Sequence, residues 1–325
     1  MIMIGMLGYG DRCPQVQSLI AMAMHSHVKN LLIFWNQPSE KTKQTLDELK
    51  RLSEKIIIET SHENLGSAGG YAQLIMSFRD NYSTPYLLLL DDDLRPSPGC
   101  IEALLQAANN DSGLHDKTLF LAYRPMIPEL ADLVKHQKEM QSPRPGCCVG
   151  FHFANLFKKP SRTSARRFSE TGLINLDLAP WGGLLIPRIS LSRLGLPRED
   201  FFMYAEDTEL TYRFTLNGGK ILLVPSAEII DLEPVWNTTG GAMSNLRRRI
   251  MVLPEMKVFH EVRNRNFIAR HYFPGLLPTY WLNKFLFLLF AYFIGIANRR
   301  FSRVVLIHQA INAGEKMAAK EACLK

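Results

Sequence analysis

Three consecutive acids carry the clearest chemistry in this chain. Asp91, Asp92 and Asp93 follow directly on an apolar run, Tyr86-Leu-Leu-Leu-Leu. Burying three like charges without a counter-ion is costly. At the carboxyl end of a strand, where ligands collect in open α/β sheets, carboxylates at i and i+2 can share a hard cation. Mg²⁺ or Mn²⁺ held in this way keeps positions for phosphate oxygens. The chemistry indicated is cation-assisted handling of a diphosphate. A solvated acidic turn would use the same residues, because Asp favours turns, so the neighbouring motifs must decide between the two.

Upstream lies Asn64-Leu-Gly66-Ser-Ala-Gly69-Gly70-Tyr71, just after a strand expected to end near Glu59. Small residues allow close backbone approach, and a helix starting there would aim its positive end at an anion. An ordinary tight β-to-α connection would look the same. Downstream is Phe201-Phe-Met-Tyr204-Ala-Glu206-Asp207-Thr-Glu209-Leu-Thr-Tyr-Arg213, preceded by Trp181-Gly182-Gly183 and Gly195-Leu-Pro197. In helical register Glu206, Glu209 and Arg213 form one stripe while Asp207 points elsewhere. The stripe reads as a charged face satisfied by Arg213. Asp207, at a helix start beside aromatic residues, has the placement of a general base for an acceptor hydroxyl.

The elements that position these residues alternate between short apolar runs and amphipathic stretches up to about Ile230, the pattern of β-α-β units. Strands are expected at Ile2–Leu7, Leu31–Trp35, Lys55–Glu59, Tyr86–Leu90, Leu119–Tyr123, Gly183–Pro187 and Lys220–Val224. Helical spacing covers Gln15–Met24, Lys41–Glu54 and Ser67–Phe78. The fold class is therefore α/β, a mixed, mostly parallel sheet flanked by helices. Lys158–Thr171 lacks apolar periodicity and is rich in Lys, Arg and Ser, which predicts a mobile loop.

A break at Pro234–Arg249 separates a catalytic domain over 1–243 from a basic, helical extension over 244–325. From Ser244 onward there are 14 Lys/Arg against 4 Asp/Glu, a balance of +10 in a chain whose net charge is +7, leaving −3 before it. The basic, partner-seeking surface is therefore expected in the extension. Within it, Phe285–Ala297 is apolar and flanked by Lys284, Arg299, Arg300 and Arg303. A spanning helix needs roughly 20 apolar residues, so an interfacial helix with snorkelling basic residues fits better; a buried core or dimer helix is the other reading. The 5 cysteines include no C-x-x-C pair, which predicts a reducing compartment. The apolar opening Met-Ile-Met-Ile-Gly-Met-Leu reads as a buried first strand, being short for a secretory leader.

Taken in order, these motifs resemble glycosyltransferase family 2 on the GT-A fold, the nucleotide-diphospho-sugar transferase architecture. Bacterial galactofuranosyl- and rhamnosyltransferases are the nearest likeness, which extends over about Ile2 to Phe273. Leu7-Gly8-Tyr9-Gly10-Asp11-Arg12 is similar to the family's first strand and turn. The resemblance implies nucleotide or diphosphate contact for Arg12, Asn36, Gln37, Asn64, Gly66, Asp91 and Asp92. It implies metal contact for Asp91 and Asp93, with Asp207 as the base. Trp181, Gly182, Gly183, Glu206 and His260 fall on the sugar and acceptor pocket. Asp231 closes a segment whose final residue in the family is usually a metal-binding histidine, and its oxygen suits Mg²⁺ as well as an imidazole does. Phe259-His260-Glu-Val-Arg263-Asn264-Arg265-Asn266 is similar to the family's C-terminal Arg-Asn motif.

The resemblance implies inverting transfer of a sugar, galactofuranose or rhamnose, from UDP-galactofuranose or dTDP-rhamnose. The acceptor would be a glycan or polyprenyl-linked oligosaccharide of surface polysaccharide synthesis, at the cytoplasmic face of the plasma membrane. An anionic membrane surface suits the basic extension. Nucleic acid does not, because an acidic cleft repels phosphates that bring no metal. Two alternatives stay open: a sugar-1-phosphate nucleotidyltransferase, which would want a lysine-bearing glycine loop after the first strand, and a non-catalytic nucleotide-sugar-binding membrane subunit.

Overall fold

The computed structural model describes residues 1–12, 15–110, 116–136, 143–157, 172–233 and 242–323. The segment expected as a mobile loop, 158–171, lies outside them. The chain divides into two compact units, one of Met1–Met140, Thr163–Phe202 and Glu206–Trp236, the other of Gln141–Arg162, Met203–Ala205 and Asn237–Lys325.

The first unit is built on a sheet of nine strands among the described residues. They are β1 (Ile2–Tyr9), β2 (Val28–Asn36), β3 (Ile56–Ser61), β4 (Tyr86–Asp91), β5 (Leu94–Pro96), β6 (Thr118–Tyr123), β7 (Ile174–Leu176), β8 (Leu184–Pro187) and β9 (Lys220–Asp231). The order is β3-β2-β1-β4-β8-β6-β9-β5, with β7 also on β9. β1 to β4 pair in parallel, as do β6 and β9, while β8 runs antiparallel between β4 and β6. Six strands thus end on one edge, so Asp91, Arg124 and Asp231 arrive there together. The strands read as continuous apolar runs because both faces are covered. Ile2, Ile4, Met6, Leu88 and Leu90 pack one way; Met3, Leu87 and Leu89 pack the other.

The first face is covered by α1 (Val16–Ala23), α2 (Glu40–Leu52) and α4 (Cys100–Asn110). The second carries α3 (Gly66–Asn81), α5 (Pro128–His136), the short α6 (Leu191–Leu194) and α7 (Glu206–Leu216). α2 is capped by Ser39, whose hydroxyl accepts from Thr42 N at 3.3 Å, and ends on Lys50 and Arg51, complementing its dipole.

The second unit packs α8 (Ala242–Met251), α9 (Glu255–Tyr272), α10 (Leu277–Ala297) and α11 (Phe301–Ala322) around Leu246, Val262, Phe287 and Ile307. Gly314 lets α11 sit against α9: a Cβ there would lie 2.4 Å from the Arg263 carbonyl oxygen. Lys284 departs from the expected snorkelling role. Its ammonium turns inward and donates to Glu315 Oε1 at 2.8 Å and Asn312 Oδ1 at 3.0 Å. The half-buried Glu315 carboxylate lies nearer to this ammonium than the water surface that snorkelling would seek. Arg249 is likewise internal, 4 % exposed and 3.0 Å from Glu261 Oε1, so part of the basic run serves the core rather than a partner.

Candidate active site

Asp91 ends β4 with its Oδ1 accepting from the Tyr71 hydroxyl at 2.6 Å and its Oδ2 3.9 Å from Arg124 Nη1. Tyr71 stacks on Trp181, ring centroids 4.7 Å apart. Arg12 faces the next two acids, with Nε 3.0 Å from Asp92 Oδ2 and Nη2 3.8 Å from Asp93 Oδ2, and it also reaches Glu233 at 3.0 Å. Loss of solvent outweighs these cations: Asp91 and Asp93 are held above the ordinary carboxylate range, and Asp92 is pushed up to about 7.

Asp91, Asp92, Asp93, Asp231 and Glu233 are five carboxyl groups against the two guanidinium groups of Arg12 and Arg124. An uncompensated set of oxygen donors is what a hard divalent cation satisfies. The residues therefore fit Mg²⁺ or Mn²⁺, held through Asp91 and Asp93. Asp231, expected as a third ligand, also faces Arg124. Its Oδ1 is taken by Arg124 Nη2, and its side chain is 4 % exposed. Among the described residues, the ligand atoms of His25, His27 and Glu102 converge within 4.8 Å of one another.

The glycine motif folds as a cradle. Gly66 has φ +66°, and a Cβ there would lie 2.0 Å from the Phe202 carbonyl oxygen, so only glycine fits. Asn64 Oδ1 accepts from Gly66 N at 2.9 Å, while its amide donates to the Tyr9 hydroxyl at 3.3 Å. Asn36 is buried and donates to the Gly66 carbonyl at 2.7 Å, which makes it a brace for this turn. Gln37 is exposed, at φ +49°.

Glu206 and Asp207 open α7, where a helix N-terminus favours negative charge. Asp207 Oδ1 accepts from Thr208 N at 2.5 Å. Glu206 is 3 % exposed, and its Oε1 accepts from the Ser67 hydroxyl and, at 3.4 Å, from Trp181 Nε1. Burial, with Asp207 adjacent, pushes Glu206 up to about 8. Gly182 clears the space beside the acids, since a Cβ there would lie 3.1 Å from Asp91 Oδ2 and 2.6 Å from Arg124 Nη1, whereas Gly183, at φ +96°, faces Ala122. His260 belongs to α9 of the second unit, edge-on to Phe259 at 5.7 Å. Sequence reasoning passed over Tyr71, Ser67 and Arg124. Arg124 was open to detection, since it follows β6 at the edge where ligands gather.

Residues 16–115 match the model of Glycosyl transferase family 2. The Galactofuranosyltransferase GlfT2 of Mycolicibacterium smegmatis is 24 % identical over 214 residues, covering 63 % of this chain and 32 % of that protein. The chain thus spans about a third of the length of that relative. The crystal structure of GalNAc-T7 with UDP, GalNAc and Mn2+ superposes with a TM-score of 0.53 at 14 % identity, over 87 % of this chain and 54 % of that one. The likeness at this identity is one of fold, and that fold is GT-A.

Proposed function

We propose that this chain is a member of glycosyltransferase family 2, an inverting glycosyltransferase acting on a nucleotide-diphosphate sugar. The observation that carries the reading is a convergence in the first unit: the Asp91–Asp93 acids, the Gly66 cradle and the Glu206–Asp207 pair meet at the carboxyl edge of one sheet. Each motif alone has a bland explanation. Three from distant parts of the chain at one edge do not.

Asp207 accepts the proton of the acceptor hydroxyl as its oxygen attacks the anomeric carbon from the face opposite the leaving group. The bond from that carbon to the diphosphate breaks, and the electron pair leaves with the nucleoside diphosphate. A divalent cation bound through Asp91 and Asp93 would supply charge neutralisation for the departing diphosphate. Arg12 holds Asp92 and Asp93 in register, and Tyr71 fixes the orientation of Asp91 by its hydroxyl. Trp181 walls the pocket beside Glu206. Burial, with Asp207 adjacent, holds the Glu206 carboxyl above the ordinary carboxylate range.

The relative's galactofuranosyl activity supports UDP-galactofuranose as first donor to test, with dTDP-rhamnose second and a glycan or polyprenyl-linked oligosaccharide as acceptor. Surface polysaccharide synthesis and a cytoplasmic membrane face follow as the setting. α10 supports the membrane partner: Leu277, Trp281, Phe285, Leu289 and Phe293 recur every fourth residue and are each at least 50 % exposed, the spacing of an apolar stripe on one helix face. Asp207→Asn should slow transfer by at least about 100-fold, the scale of a lost general base, while nucleotide binding persists. Full turnover in that variant would remove the assignment.

A further inference from the structure

The Arg263-Asn264 pair of α9 is a motif that the proposed transfer leaves unused. Asn264 lies within the second unit and is 0 % exposed. Its Nδ2 donates to the Met203 carbonyl at 2.9 Å and to the Tyr204 carbonyl at 2.8 Å, so both amide hydrogens serve one short segment. Arg263 Nε donates to Asn264 Oδ1 at 2.9 Å, which fixes the way the amide turns. The segment so held, Met203–Ala205, belongs to the same unit although Tyr204 is 60 residues away in sequence. Tyr204 and Ala205 have φ +66° and +65°, the left-handed region that a side chain makes costly. Two such residues in succession persist only where their surroundings hold them. The next two residues of the chain are Glu206 and Asp207, which open α7.

We propose that Asn264, oriented by Arg263, is a positioning residue for the base: it holds 203–205 in left-handed backbone and, through the chain itself, fixes where Asp207 stands. This rests on the proposed role of Asp207 in sugar transfer. Without the amide, two carbonyls lose their donors, and Tyr204 and Ala205 relax toward negative φ, which redirects the chain just ahead of Asp207. A reacting group misplaced by about 1 Å loses on the order of 100-fold in rate. The acids that follow β4 lie on a separate element, so nucleotide binding should persist.

The test measures transfer by the full chain from whichever of UDP-galactofuranose and dTDP-rhamnose the wild type uses, with UDP and dTDP binding alongside. The proteins are the wild type, Asn264→Ala, Arg263→Met, and Asn264→Ala combined with Ala205→Gly. With rates taken per nucleotide-binding site, Asn264→Ala should lose at least about 30-fold in kcat while donor KM and nucleoside diphosphate affinity stay within about twofold. A residue that only stabilised the fold would lower the number of binding sites and leave kcat per site unchanged, and that result would overturn the proposal. Glycine takes positive φ without a side-chain penalty, so adding Ala205→Gly should return at least about threefold of the lost kcat; no return would overturn it equally. Arg263 is half-buried, and Arg263→Met should lower kcat about threefold at unchanged affinity, the worth of one hydrogen bond. Should Asn264→Ala fail to fold, an unchanged kcat in Arg263→Met decides against the proposal. Those results leave the proposed function standing, whereas absence of wild-type transfer, or full turnover by Asp207→Asn, would remove both.

Discussion

At the scale of single residues, adjacency decided what could be read. Asp91, Asp92 and Asp93 announce themselves because three like charges abut an apolar strand. Glycine at 66 was legible as a close approach, although the Phe202 carbonyl that requires it lies far along the chain. Asp231 was visible only through family resemblance. Its engagement by Arg124, 107 residues away, has no signature in spacing. The Tyr71 hydroxyl on Asp91 is hidden for the same reason, since a tyrosine after paired glycines looks like helix packing. Glu206 supports a prediction at this scale. Burial raises its carboxyl from 4.5 to about 8, so across that window the native protein keeps a proton that the unfolded chain has lost, and stability falls as pH rises. Glu206→Gln removes that fall. Its melting temperature should match the wild type near pH 4.5 and exceed it by at least about 2 °C at pH 8.5; equal melting at both values in pH-dependent thermal unfolding would contradict the burial argument.

At the scale of elements, the long strands and the first three helices were legible from period and punctuation, with ends displaced by one to three residues. Two strands were not. β5 and β7 are three residues each, too short to show alternation, and exist because β9 offers an edge. β9 itself was expected to stop at Val224, before Pro225. The structure carries it to Asp231 through a register shift between the pairs Ala122 with Val224 and Tyr123 with Glu228, which absorbs the proline where no ladder bond is needed. That extension brings Asp231 to Arg124. In the second unit, Arg247–Arg249 looked like a basic surface because charge runs are usually solvated, yet Glu261 draws Arg249 inside and is itself held down to about 2 by its arginines. Glu261→Ala leaves a buried guanidinium unpaired and should cost about 3–5 kcal/mol, measured by chemical denaturation. A loss under about 1 kcal/mol would mean that Arg249 finds water instead.

At the scale of the whole molecule, composition indicated a chain large enough for a full core with a basic tail, and the order of motifs indicated the fold. What lay beyond the sequence was the partition. The second unit gathers 203–205 and 141–162 with its C-terminal helices, and no composition shift marks those short pieces. The proposed reading of the molecule as a whole is that of a family 2 glycosyltransferase whose acidic sheet edge handles a nucleotide-sugar. The most direct test is nucleoside diphosphate release from a panel of nucleotide-sugars, UDP-galactofuranose and dTDP-rhamnose included, by the wild type and Asp207→Asn with Mg²⁺ or Mn²⁺ and a glycan acceptor. Release from one donor by the wild type, slowed at least about 100-fold in the variant, is the predicted result. No release and no nucleotide binding across the panel, or full turnover by Asp207→Asn, would contradict it.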